Sequence, residues 1–209
     1  MNPALTSDDH AATPCTAIDW LRAETRAAHD DLERSLHVAR PGAGRTEFLS
    51  YLRALHAWQA SFEDRLWSAH WPAALQVVAR RGKCAWMQAD LGLCSVTPLA
   101  PARWQPPLHT QAQRVGLAYV VEGAQLGTRV LAQRLAPALE GWQPRFLQGY
   151  GQQTGALWKS FLGEIEILLD STAARREAGL AARQAFESLA CWFERCHAAS
   201  PKTHTAELT

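Results

Sequence analysis

The sequence has no surplus of charge of either sign. Its 209 residues carry 21 basic and 20 acidic side chains, a formal net of +1. That balance argues against a non-specific nucleic-acid binder and against a polybasic membrane anchor. Cysteine is scarce and odd in number: Cys15, Cys84, Cys94, Cys191 and Cys196, with no Cys-x-x-Cys pair. Neither a disulfide framework nor a thiolate zinc site is expected. No stretch approaches the roughly 18 uninterrupted apolar residues that a membrane span requires. Met1 to His10 has no basic segment followed by an apolar one, so no signal peptide is expected. A reduced, cytoplasmic location follows as the expectation. Internal repeats, low-complexity tracts and strand-type alternation between hairpin turns are also missing.

What is present is a globular composition, 47% hydrophobic and 20% charged, in a length that suits one domain at about 100–200 residues each. Residues 1–14 read as a polar N-terminal tail and residues 200–209 as a C-terminal tail, leaving one helical domain over 15–199. Ile18, Leu21, Thr25, Ala28, Leu32 and Leu36 recur at three- and four-residue steps, predicting a helix from about Thr16 to Val38. Pro41-Gly42-Ala43-Gly44 breaks it; with no strand before it, this is a turn and not a dinucleotide fingerprint. Thr46 is the expected cap of a second helix reaching Ala69, with Phe48, Leu52, Leu55, Gln59, Phe62 and Leu66 on one face. Short helical pieces fit 73–80 and 84–91. Pro98, Pro101, Pro106 and Pro107 make 95–107 a loop. Helical patterns then cover about 110–135, 145–170 with a bend near Gly149-Tyr150-Gly151, and 172–198. The fold class expected is all-α, a single-domain multi-helix bundle.

Two segments carry chemistry. In the helix over 110–135, Gly116, Gly123 and Gly127 each weaken the helix by ~1 kcal/mol relative to alanine. At ~100° per residue they project within about 40° of one another. Something must approach that face closely. Another helix could do so, and so could a flat ligand. In the first helix, His29 lies on the edge of the apolar face, with Arg22 almost in line and Arg26 and Glu33 on the polar side. That setting fits an ordinary boundary histidine, or a metal ligand beneath an anionic planar cofactor.

Taken together, these segments resemble a known family. Leu21-Arg22-x-x-Thr25-x-x-x-His29-x-x-Leu32-Glu33 resembles the proximal helix of biliverdin-producing heme oxygenases. Tyr119-Val120-Val121-Glu122-Gly123-Ala124-x-Leu126-Gly127 resembles their distal helix. Gly151-x-x-Thr154-Gly155-x-x-Trp158-Lys159-x-Phe161-Leu162 resembles the helix that follows, best in bacterial members including the phytochrome-associated type. The likeness runs from about residue 17 to 195, with the order of motifs kept.

The resemblance implies that His29 is the proximal heme-iron ligand and that Glu33 supports it through the other ring nitrogen. It implies that Arg22, Arg26 and Lys159 meet the heme propionates. Gly123 and Gly127 would contact heme and its bound oxygen as the catalytic distal glycines. Ala124 stands where some members have aspartate and Thr128 where small residues are usual, so the proton-relay groups stay unassigned. The implied cofactor and substrate is heme b, cleaved with O2 and electrons from an external reductant to biliverdin, carbon monoxide and ferrous iron. Implied partners are a ferredoxin or flavoprotein reductase as electron donor and a bacterial phytochrome as biliverdin acceptor, with a monomer expected and neither nucleic acid nor membrane. A heme-binding or heme-sensing protein without turnover is the alternative on the same fold. A di-iron oxidase needs several Glu-x-x-His pairs, and only Glu194-Arg195-Cys196-His197 is present. His10, His37, His56, His70, His109, His197 and His204 show no metal-ligand spacing, and the nine tryptophans read mostly as core.

Overall fold

The structure, a computed structural model, describes residues 16–199. Both expected tails, and Cys15, His10 and His204 with them, lie outside the described residues. Among the described residues there are helices and no strands: α1 (Ala17–Ser35), α2 (Arg45–Ala60), α3 (Glu63–Ser68), α4 (Val77–Arg80), α5 (Lys83–Leu93), α6 (Gln111–Leu135), α7 (Arg145–Gln148), α8 (Thr154–Leu168) and α9 (Thr172–Ala198), with three short 3-10 turns. No helix among them is long and apolar enough to cross a membrane.

The long helices carry their own start signals. The Thr16 hydroxyl accepts from Asp19 N at α1, Thr110 from Gln113 N at α6, and Ser171 from Ala174 N at α9. Each satisfies a backbone donor that no helical carbonyl reaches. Other helices borrow a carboxylate from elsewhere. Glu166 of α8 accepts from Ala17 N and Ile18 N at 2.9 and 3.1 Å, adding a second cap to α1. Glu63 accepts from Lys83 N and Cys84 N at the start of α5. Asp90 accepts from Arg145 N and Phe146 N, 2.7 and 2.8 Å, at the start of α7. Negative charge at these ends also opposes the helix dipole.

Several boundaries differ from expectation. α1 stops at Ser35, and His37–Ala39 is a separate 3-10 turn. Thr46 is inside α2; the cap is Gly44, whose N–H donates to Glu47 Oε2 at 2.8 Å. The expected helix over 46–69 is two helices. The backbone leaves helical geometry at Phe62 (φ −145°, ψ −12°). This break lets the Phe62 ring meet Trp58 and Trp104 edge-on, and aims Glu63 at α5. The expected bend at 149–151 is a full interruption. Gly149 (φ 52°) and Gly151 (φ 58°) take left-handed backbone, and a Cβ on Gly149 would stand 2.9 Å from Gln125 Oε1. The proline-rich stretch is a loop, strapped to α2 by Ala102 N donating to Ala57 O and Arg53 Nε to Thr97 O. Trp58, Trp67 and Trp71 are buried; the other six tryptophans are half-buried.

α9 is the common support. Its Ala178, Gly179, Ala182 and Ala185 are buried, and these small residues let neighbouring backbones come close. α1 and α6 both pack along α9, and α8 lies against both as well. The C-terminal half of α9 is tied to α2, through Trp58 Nε1 donating to Ser188 Oγ at 3.0 Å and Trp192 Nε1 to Ala54 O at 2.9 Å.

Candidate functional site

The two chemistry-bearing helices, α1 and α6, therefore face a shared frame of α8 and α9. On α1, Leu21, Thr25 and Leu32 are buried, and the Thr25 hydroxyl is satisfied by Leu21 O at 2.7 Å. His29 sits at the edge of that face with its side chain 48% exposed. Phe186 of α9 meets its ring edge-on, centroids 5.4 Å apart. Asp30 Oδ1 lies 3.9 Å from His29 Nδ1, and Glu33 Oε1 lies 3.8 Å from Nε2. Neither is a hydrogen bond at that distance. Whichever nitrogen takes a metal, a carboxylate is near the other. Arg22 and Arg26 are exposed on the same helix, with Arg22 Nη1 3.9 Å from Asp19.

The three α6 glycines do different jobs. A Cβ on Gly116 would stand 2.2 Å from the Ala178 carbonyl oxygen, so this glycine exists for helix contact with α9. A Cβ on Gly123 would meet only the edge of the Trp158 ring, at 3.7 Å, and one on Gly127 would meet nothing within 4 Å. The expectation of one face with one visitor is corrected: its first turn is packed, and its later turns are open. Tyr119, one turn before Gly123, reaches back to α1. Burial raises its hydroxyl pKa, and Arg22 and Thr25 are close enough to act against that rise. Its ring lies 5.7 Å from that of Trp158. Lys159, next to Trp158 on α8, is exposed.

Beneath Gly123 lies a buried charged cluster that sequence reasoning missed. Glu122 accepts from Arg80 Nη1, from Lys83 Nζ at 2.7 Å and from Tyr150 OH at 2.9 and 3.0 Å. Burial pulls the Lys83 ammonium below its ordinary pKa, with Glu122 acting against it. Burial, and then Glu122, push the Tyr150 phenol up. One signal was available: Glu122 is the single charged residue between Arg114 and Arg129.

The other candidates recede. Burial, and then Glu63, push the Cys84 thiol up, which disfavours the thiolate that binds metals. His197 stacks on His37 with ring centroids 4.0 Å apart, and Glu194 is exposed, so the Glu-x-x-His pair does not point into the bundle. Among the described residues, no group of three or more His, Cys, Asp or Glu side chains is placed to hold a metal ion. Ala124 is exposed, and the buried Thr128 hydroxyl donates to Gln125 O at 2.8 Å.

This arrangement suits a flat, anionic, metal-bearing ligand. His29 carries a half-exposed imidazole on α1, α6 has room for a side chain at Gly123 and Gly127, and Arg22, Arg26 and Lys159 are exposed. Comparison with known proteins points the same way. The heme oxygenase family model matches residues 16–195. A heme oxygenase of Xanthomonas campestris pv. campestris (strain 8004) is 34% identical over 98 residues, which is 46% of this chain and 57% of that relative. The match thus spans little more than half the relative's length. The NO- and CO-bound heme oxygenase of Neisseria meningitidis superposes with a TM-score of 0.73 over 93% of this chain and 98% of that one, at 19% identity, which is a likeness of fold.

Proposed function

The chain belongs to the heme oxygenase family, and from that premise we propose that it binds heme through His29 and degrades it to biliverdin, carbon monoxide and ferrous iron. The observation that carries the reading is the pairing, in one fold, of a half-exposed imidazole flanked by carboxylates with a glycine face left open on α6. Bound heme b supplies the iron at which O2 is reduced and is itself the substrate.

The protein's part is binding and orientation. His29 would offer one ring nitrogen to the iron, and the carboxylate beside the other nitrogen, Asp30 at Nδ1 or Glu33 at Nε2, would orient the ring through its N–H. Arg22 and Arg26 on α1 and Lys159 on α8 would pair with the heme propionates and so orient the ring. Gly123 and Gly127 would let α6 backbone come close to the heme, where side chains would crowd it and its bound oxygen. The edge of the Trp158 ring borders Gly123. Electrons come from an external donor, a ferredoxin or a flavoprotein reductase. A bacterial phytochrome is one destination for the product and disposal during iron acquisition the other; the enzyme is read as a cytoplasmic monomer.

Turnover of the purified heme complex tests this. With ascorbate or reduced ferredoxin, the Soret band should decay as biliverdin absorbance rises and carbon monoxide is released. A complex that forms but persists under reductant and O2 would leave a heme-binding or sensing role in its place.

A further inference from the structure

Glu122 is 3% exposed, on the helix turn that leads into Gly123. Three separate segments donate to its carboxylate: Arg80 at the end of α4, Lys83 at the start of α5, and Tyr150 between α7 and α8. These donors are themselves held. Arg80 Nη2 donates to the Leu157 carbonyl of α8 at 3.0 Å, and Lys83 Nζ donates to the Arg80 carbonyl at 2.7 Å. Both cationic side chains are 0% exposed. The Arg80 guanidinium also lies over the Phe161 ring, 5.2 Å from its centroid.

Apolar packing is non-directional and lets a helix slide or roll at small loss. Charge-assisted hydrogen bonds fix both distance and angle. That difference matters at this point of α6. Toward the open side, Gly123 touches one ring edge and Gly127 touches nothing, so no side chain there sets the height of the backbone. The restraint comes from behind, through the residue immediately before Gly123.

We propose that Glu122 is a positioning residue: through Arg80, Lys83 and Tyr150 it fixes the height and rotation of the Gly123–Gly127 backbone over the ligand. The identity of that ligand as heme rests on the function proposed above; the restraint itself does not. The negative charge of Glu122, not its shape, is what holds the three donors in place.

Two variants separate charge from shape. Glu122→Gln keeps the outline and removes the charge; Tyr150→Phe removes one donor and leaves both ion pairs. In the heme-free protein, amides of residues 119–131 should exchange roughly ten-fold faster in Glu122→Gln, with α9 still protected, and by a smaller factor in Tyr150→Phe. In the heme-loaded protein, with carbon monoxide as a probe of the glycine face, the C–O stretching band should shift and broaden in both variants. Equal acceleration in α6 and α9 would mean that the cluster only stabilises the fold, and would overturn the proposal. An unmoved C–O band in both variants would do the same. If Glu122→Gln does not fold, Tyr150→Phe carries both readouts. If the unaltered chain takes up no heme, the function proposed above falls, while the exchange measurement still decides the restraint.

Discussion

Gly116 of α6 lies so close to Ala178 of α9 that a Cβ would stand 2.2 Å from the Ala178 carbonyl oxygen. Eleven residues on, the same helix face is empty at Gly127. The two glycines should therefore respond to alanine with opposite signs. Gly116→Ala forces two backbones apart and should destabilise the fold by about 1–3 kcal/mol or more. Gly127→Ala relieves a helix of glycine and should stabilise the ligand-free fold by up to ~1 kcal/mol, while weakening heme binding. Urea titrations of both variants check the first pair of signs, and Soret titration checks the last. A Gly127→Ala protein that binds heme as tightly as the unaltered chain would remove this glycine from the site.

His29 is half exposed and makes one ring contact, with Phe186. His29→Ala should leave stability within about 1 kcal/mol of the original, as expected at a surface-edge position, and should abolish the spectrum of a histidine–water heme complex. Exogenous imidazole should restore part of that spectrum. Retention of the full heme spectrum in His29→Ala would assign the iron ligand elsewhere.

Glu166 accepts from the first two backbone N–H groups of α1. Glu166→Ala leaves both donors without this partner and removes a negative charge from the helix start. A loss of roughly 1–2 kcal/mol is expected from capping and dipole terms together. Hydrogen exchange should localise the change to the first turn of α1. Uniform loss of protection would argue instead for a packing defect in α8.

His37 links stability to pH. Burial lowers its pKa from 6.5, the stacked His197 and Arg40 lower it further, and Glu47 opposes them. The folded chain therefore takes up this proton later than the unfolded chain as pH falls. Its contribution is fully present above about pH 6.5 and is lost below that, until folded His37 also becomes charged. Burial lowers the His56 pKa as well, so its contribution has the same sign. His37→Gln should flatten, without abolishing, the decline in stability between pH 7 and 5. Chemical denaturation across that range gives the slope, and an unchanged slope would take His37 out of the effect.

Much of the fold is legible because long helices keep one apolar period and carry their own caps. Thr110 and Ser171 mark the starts of α6 and α9 within a residue of expectation. The break at Phe62 is not legible, since apolar spacing runs unbroken from Phe48 to Leu66 and the cause lies in contacts with Trp104 and α5. The interruption at Gly149 shows only as a bend, because its extent depends on the capping of α7 by Asp90, 55 residues before Arg145. At the site, the roles of His29, Arg22, Arg26, Glu33 and Lys159 rest on resemblance; spacing alone left His29 an ordinary boundary histidine. Glu122 stands out as a lone charge, but its partners at 80 and 83 lie in segments whose position no periodicity indicates.

The borrowed carboxylate caps imply an order of folding. Helices shorter than about 12–15 residues are marginal in water by themselves. α6 and α9 exceed that length and cap themselves, whereas α5 and α7 wait for Glu63 and Asp90 to arrive. Pulse-labelled exchange during refolding should find amides of α6 and α9 protected before those of α5 and α7. The cluster around Glu122 joins α6 to α4, α5 and the segment after α7, so its completion should follow the docking of those elements. The glycine face should therefore acquire its final shape only after α4, α5 and the segment following α7 have docked on α6.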